Sequence, residues 1–311
     1  MKYIGRKLLT MLLTVLIVTL LVFIAFRVIP GDPAVNMLGI KATPEKVERL
    51  REQMGLNRPV YIRYLEWLKD FFFGDMGKSY TYGTSVRDML GSKIPITVTL
   101  TFLSFVFVIA IAVPLGINAA KHEDKWYSKT LDVINQITMS LPPFFIGMLL
   151  IYLFGLILRW FTPGGYVSYK DSFGAFVVYL IYPAIAIALP KAAMTNKLLK
   201  SSLLKESRLD YVRTAYSRGN STNEVLYKHV LKNAMIPVIT FLGMTLADIV
   251  AGSIIVEQVF SIPGLGRLLI TSISNRDYPV VQAIIAIIAC IVILINFIVD
   301  VLYKLIDPRI R

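Results

Sequence analysis

Leu8–Phe26 reads LLTMLLTVLIVTLLVFIAF, a run without a single charged residue, and Lys2, Arg6 and Lys7 stand just before it. A helix that crosses the hydrocarbon core of a bilayer needs roughly 20 apolar residues in succession. A secretory leader also opens with cations and an apolar stretch. Its apolar part is shorter, however, and ends at a small-residue cleavage site, whereas this run ends in Arg27-Val28-Ile29-Pro30. The stretch therefore reads as an uncleaved first span with its N-terminal end in the cytoplasm.

Five similar tracts follow. Ile94–Ala120 is uncharged and holds Pro95 and Pro114; Val133–Leu158 is uncharged and holds Leu141-Pro142-Pro143-Phe144. Ser172–Pro190 and Tyr278–Val299 are uncharged, and Asn233–Val256 is interrupted only by Asp248. Prolines inside such tracts would break a soluble helix, but neighbouring spans can re-satisfy the freed backbone groups in a bundle. Of the 311 residues 56% are hydrophobic and 17% charged, well under the roughly 25% of an ordinary soluble domain. The expected fold is all-α and integral to the membrane: six transmembrane helices with N and C termini cytoplasmic.

The placement of Lys and Arg supports that orientation. Three precede the first span, three lie in Lys121–Lys129, nine in Lys191–Lys232 and three from Lys304 on; the short loops assigned outside carry only Arg159 and Lys170, then Arg267 and Arg276. Cytoplasmic loops carry the excess of cations. The outside loop 30–93 holds ten Lys and Arg against eight Asp and Glu, and long loops translocate largely regardless of charge. The net charge of +13 thus follows from topology and anionic lipid rather than from nucleic acid. Along the chain the divisions are 1–29, first span; 30–93, an extracytoplasmic subdomain of short helices; and 94–311, a five-span core with a cytoplasmic loop at 191–232.

In the outside loop, Thr43-Pro44-Glu45 has the N-cap, the proline at N1 and the acid of a helix start, and Gly55 suits its C-terminal cap. A second helix starts at Pro59, with Tyr61, Tyr64, Leu65, Leu68 and Phe72 at helical spacing and Gly74 at its end. The stripe either lies on the membrane surface or packs on span ends. Gly77-Lys78-Ser79 invites a phosphate-loop reading, but the four residues that loop needs between its glycines are missing and no strand precedes it.

The loop 191–232 predicts two helices at a corner. Leu198–Ser217 is rich in Lys, Leu and Arg; Gly219-Asn220 breaks it, since both tolerate positive φ. Ser221-Thr222-Asn223-Glu224 then matches a capping box, and a second helix runs on toward Pro237 and the fifth span. A basic helix–turn–helix also describes DNA readers. Here both ends are stitched to membrane spans, which prevents either helix from lying in a groove.

These residues carry a family likeness. Asp210-Tyr211-Val212-Arg213-Thr214-Ala215, then Gly219, then His229-Val230-Leu231-Lys232-Asn233-Ala234-Met235-Ile236-Pro237 resembles the loop signature of binding-protein-dependent ABC importer permeases, in the oligopeptide, dipeptide and nickel branch. Pro30-Gly31-Asp32-Pro33, Trp67-Leu68, Gly74-Asp75-Met76-Gly77-Lys78-Ser79, Val256–Phe260, Ile262–Gly266 and Asp307-Pro308-Arg309 resemble other stretches of that family. The long first outside loop is similar to the first, B-type, of its two permease subunits. The resemblance implies the ABC importer type I permease fold. It implies that Ala215 and Gly219 match the motif's alanine and glycine, and that residues near Tyr216–Leu226, with Tyr216, Asn220, Ser221 and Glu224 among them, form a coupling helix seated in a cleft of the ATPase. The chain departs from the usual pattern at Tyr216, Ser217 and Asn220, where a basic residue, alanine and leucine are commoner. The partners implied are a second homologous permease, two ATP-binding subunits or domains, and an extracytoplasmic solute-binding protein, in the cytoplasmic membrane of a bacterium or archaeon.

Catalytic signals are missing. His122 and His229 are the only histidines and sit on different loops; there is no Cys/His cluster of metal-ligand spacing and no ATP-binding loop. The chain is expected to be no enzyme and to hold no cofactor or metal, with ATP and Mg bound by the partner subunits. Asp248 is the residue to single out, with Met244 one turn before it, because an acid within a span usually faces an interior or aqueous path. Both are candidates for a substrate pathway, against a plain structural role. Arg27 and Glu257 are expected near the outer interface. The leading expectation is a permease subunit for oligopeptides or dipeptides. The alternatives are a permease for nickel or a metal–chelator complex and a secondary transporter, which should show inverted repeats and several intramembrane charges.

Overall fold

The computed structural model describes residues 2–28, 33–38, 43–53 and 57–306. The cap expected at Gly55, residues 30–32 and 307–309, and the side chain of Arg27 lie outside the described residues. Within them the regular elements are helices: α1 (Lys2–Val28), α2 (Pro33–Leu38), α3 (Pro44–Gln53), α4 (Val60–Phe73), α5 (Val86–Gly91), α6 (Ile94–Lys121), α7 (Trp126–Ser140), α8 (Pro143–Leu150), α9 (Phe173–Ser207), α10 (Asp210–Ser217), α11 (Thr222–Glu224), α12 (Leu231–Val259), α13 (Leu265–Ser274) and α14 (Tyr278–Ile306). Wide π turns continue α8 through Ile151–Ile157 and join α11 to α12 through Val225–Val230.

Five of these helical stretches, containing α1, α6, α9, α12 and α14, are long and apolar enough to cross a membrane. The third expected span, Val133–Leu158, is not one straight helix. α7 and the α8 helix meet at 104°, and counted as one broken span they bring the candidate spans to six. The cause is local: Leu141 is extended (φ −95°, ψ 130°), as a residue before proline prefers, and Pro142 and Pro143 supply no N–H to the preceding turn.

The fourth span corrects the expectation in the opposite sense. It does not stop at Pro190 but runs unbroken to Ser207, with Pro183 and Pro190 inside it. Ala184, Ala186, Ala188, Ala192 and Ala193 are buried around those prolines, so close-packed neighbours hold the helix together where the backbone lacks a bond. The helix expected over Leu198–Ser217 is instead the end of α9, a break at Arg208-Leu209, and α10. Leu209 is extended (ψ 151°).

Packing divides the chain into two compact units: residues up to Thr97 with Pro263–Phe297, and Val98–Ile262 with Ile298 onward. The expected divisions after 29 and 93 follow chain order; by packing, the outside loop groups with the first span and with α13 and most of α14.

In the first unit α4 lies on α1. Its packed face is Tyr64, Trp67 and Phe71, which shares only Tyr64 with the expected stripe: Phe23 meets Tyr64 and Trp67 at ring distances of 5.5 and 5.9 Å, and the Tyr64 hydroxyl donates to the Leu16 carbonyl (3.0 Å). Tyr61, Leu65 and Phe72 stay exposed. Gly74 closes α4 with φ +87°, as read. The Gly77-Lys78-Ser79 turn has a structural task. Ser79 Oγ donates to buried Asp277, whose carboxylate also accepts the Tyr80 N–H (3.0 Å) and Thr81 N–H (3.3 Å).

In the second unit α9 packs on α7, α8 and α12. Asn135 Nδ2 donates to Asn196 Oδ1 (3.1 Å) in the buried α7–α9 seam. The Tyr179 hydroxyl donates to the Phe260 carbonyl (2.7 Å), tying the start of α9 to the end of α12. Gly243 allows close approach, since a Cβ there would stand 2.4 Å from Val299 Cγ1.

Candidate functional site

The cytoplasmic corner begins where α9 ends. α10 is one amphipathic helix of two turns that buries Val212 and Ala215 and exposes Tyr216. Residues Tyr216–Leu226 do not form one helix as expected: α10 stops at Ser217, and Gly219 reverses the chain with φ +84°. The Gly219 N–H bonds the Tyr216 carbonyl (2.9 Å), and Asn220 Nδ2 caps α10 through the Ala215 carbonyl (3.0 Å). No atom stands within 4 Å of where a Gly219 Cβ would be. The demand on that position is conformational, not spatial.

The next helix starts with the expected capping box. Ser221 Oγ accepts the Glu224 N–H (3.4 Å), and Glu224 Oε2 accepts the Ser221 N–H (3.1 Å). Lys228 Nζ adds a bond to Glu224 Oε1 (3.0 Å). The Ser221 N–H first, then Lys228, hold the Glu224 carboxyl down to about 2. Val225, Leu226 and Val230 are buried behind it. Two further ties brace the corner. Lys121 Nζ reaches Asn223 Oδ1 (2.6 Å) from the end of α6. Tyr211 bridges from Glu206 Oε1 (2.7 Å) to Asn233 Nδ2 (3.2 Å), and burial, then its bond to Glu206, push its hydroxyl pKa up. The short helix α10 is thus tied to the end of α9 and the start of α12.

Ala215, Tyr216, Gly219, Asn220, Ser221 and Glu224 therefore fall together in one corner. Asp248 and Met244 lie elsewhere, on the exposed face of α12. Asp248 is not a lone acid. Its Oδ2 pairs with Lys191 Nζ on α9 at 2.7 Å, and the side chains are 63% and 22% exposed respectively. Lys191, assigned by sequence to the cytoplasmic loop, is part of the helix α9, which continues past Pro190. The register permits the pair. Lys191 is twelve residues after Tyr179 and Asp248 twelve before Phe260. From the Tyr179–Phe260 tie, both antiparallel helices therefore descend about 18 Å to the same level. The equal spacing acquires meaning only through the tie, a contact between residues 81 positions apart.

Comparison with known proteins agrees with this geometry. The family model described as "Binding-protein-dependent transport system inner membrane component" matches residues 112–311, and its N-terminal companion matches residues 1–101. The chain is 37% identical to the glutathione transport system permease protein GsiC of Escherichia coli, covering 100% of this chain and 99% of that one. It is 36% identical to the oligopeptide transport system permease protein AppB of Bacillus subtilis, covering 99% of each. It is 34% identical to the dipeptide transport system permease protein DppB of Alkalihalophilus pseudofirmus, covering 100% and 99%. A chain of the inward-facing MetNI methionine ABC transporter shares the fold, with TM-score 0.57 and 16% identity over 70% of this chain and 96% of that one. Full-length likeness and the apolar helices converge: the chain belongs to the inner membrane components of binding-protein-dependent transport systems, as a multi-pass permease.

Proposed function

We propose that this chain is the permease subunit of an ATP-driven peptide importer and forms half of its translocation pathway. The observation that carries the reading is end-to-end likeness to permeases named for oligopeptides, dipeptides and glutathione. These relatives favour peptide over the nickel or metal–chelator alternative, and the family sets the secondary-transporter reading aside. A second homologous permease completes the pathway, two ATP-binding subunits bind ATP and Mg below, and a solute-binding protein delivers peptide outside. The corner at α10 and Gly219 is the part that meets the ATPase. Closure of the ATPases pushes on α10, and the Tyr211 and Lys121 ties pass that push to α9, α12 and α6.

Asp248, Lys191 and Met244 line the route of the peptide. A charged pair partly exposed within a span belongs on an aqueous path, and a peptide brings both an ammonium and a carboxylate. The pair offers each charge a partner and keeps both charges compensated while the path is empty.

Affinity purification of a tagged chain from its own membranes tests the reading. Two ATPases and a sister permease co-purify, and ATP hydrolysis by the complex rises when a peptide-loaded binding protein is added. Isolation of the chain alone, or of a complex that hydrolyses no ATP, contradicts it.

A further inference from the structure

A cavity of about 690 Å³ opens between α9 and α7, lined by Glu123, Asp132, Lys197, Lys200, Ser201, Leu204, Lys205 and Arg208. Its basic wall is a single face of α9, because positions 197, 200–201, 204–205 and 208 recur at one helical turn. Only Lys200 is neutralised, by Asp132 at 2.6 Å. Lys197 spends a hydrogen bond on the neutral Gln136 amide (3.2 Å). Among the described residues no acid stands within ion-pair distance of Lys197, Lys205 or Arg208. Three cations therefore face a cavity with only Glu123 left to oppose them.

Depth and surroundings identify the ligand. Lys197 is 24 residues after Phe173, where α9 begins. That is about 36 Å along the helix, past a hydrocarbon core of about 30 Å and into the inner headgroup layer. Beside the cavity α7 exposes Val133, Ile134 and Ile137, and Trp126 at its start is 76% exposed. An exposed tryptophan at a helix end suits the membrane interface. A free phosphate would use only the cations; an anionic phospholipid uses the cations for its phosphate and the apolar α7 face for its chains. We infer that this cavity is a binding site for the headgroup of an anionic phospholipid of the inner leaflet, held by Lys197, Lys205 and Arg208.

The test uses the assembled complex with its ATPases. It compares the wild type, the site variant Lys197→Gln/Lys205→Gln/Arg208→Gln, and a control of equal charge loss, Lys125→Gln/Lys129→Gln/Lys232→Gln. Lys200 is kept so that Asp132 is not orphaned. Each is reconstituted with phosphatidylethanolamine and phosphatidylglycerol, and retained lipid is counted by native mass spectrometry. A cation near an anionic surface is worth roughly fivefold in affinity, so three weaken retention by on the order of a hundredfold. The site variant loses phosphatidylglycerol and the control keeps it. Equal loss from both triples, or none from the site variant, overturns the proposal. So does a thermal shift from inorganic phosphate alone that matches the lipid's. Retention by the permease pair that vanishes once the ATPases bind also overturns it, by giving the surface to the ATPase.

Discussion

Asp277 and Asp248 show how differently two carboxylates can be used. Asp277 is fully buried and accepts from Ser79 and from the Tyr80 and Thr81 backbone. Replacing it by alanine orphans the buried Ser79 hydroxyl and two part-buried backbone donors, each bond to a charged group being worth about 1.5–3 kcal/mol. Asp277→Ala should therefore lower the melting temperature of the purified permease sharply, and Asp277→Asn, which keeps one acceptor oxygen, should do so less. Equal melting of wild type and the alanine variant would remove Asp277 as the anchor of that turn. Asp248, paired with Lys191 on an open helix face, should behave otherwise. Asp248→Asn lowers peptide uptake roughly tenfold to a hundredfold, the value of one charge-assisted bond, while the complex still assembles. The double variant Lys191→Met/Asp248→Asn separates the two roles of the pair. If the charges serve the peptide, uptake stays low; full uptake by the double variant would make the pair a mere brace between α9 and α12.

At the scale of elements the corner depends on two devices. Gly219 has a left-handed backbone with open space around it. Alanine there is opposed only by conformation, about 1–2 kcal/mol. Proline cannot reach φ +84° and removes the N–H bonded to Tyr216. Gly219→Ala should thus impair transport mildly and Gly219→Pro severely. ATP hydrolysis should persist in the proline variant, because the defect lies in transmission. Ser221→Ala removes the N-cap of the following helix, about 1 kcal/mol, and should raise proteolytic nicking between α10 and α11. An unchanged digestion pattern would show that the cap does not hold this turn. Much of this was legible in sequence. The capping box, the Gly219 break, the Gly74 cap and the first, second, fifth and sixth apolar tracts are local signals, and each stands where it was read. Pro190 and Lys191 looked like the end of a span because proline and charge usually close one; the burial of the α9 alanines around them by neighbouring helices is a tertiary fact. The bend at Leu141 was hidden for the converse reason. Its prolines resemble those that α6, α9 and α12 carry without a comparable break.

For the whole molecule, the pairings that matter most join residues far apart in sequence. Lys191 meets Asp248 across 57 positions and Ser79 meets Asp277 across 198, so no reading of spacing along the chain could find them. The acid at Asp248 was visible in sequence; its Lys191 partner and the tie between the Ser79 turn and Asp277 were not. The proposed function requires that ATP hydrolysis in partner subunits moves this chain through the α10–Gly219 corner. Peptide uptake into proteoliposomes holding the purified complex, with ATP and the binding protein supplied, measures that directly. Uptake should require the co-purified ATPases, and in Gly219→Pro it should collapse while ATP hydrolysis continues. Uptake driven by an ion gradient without the ATPases, or unimpaired uptake in Gly219→Pro, would rule out coupling through this corner.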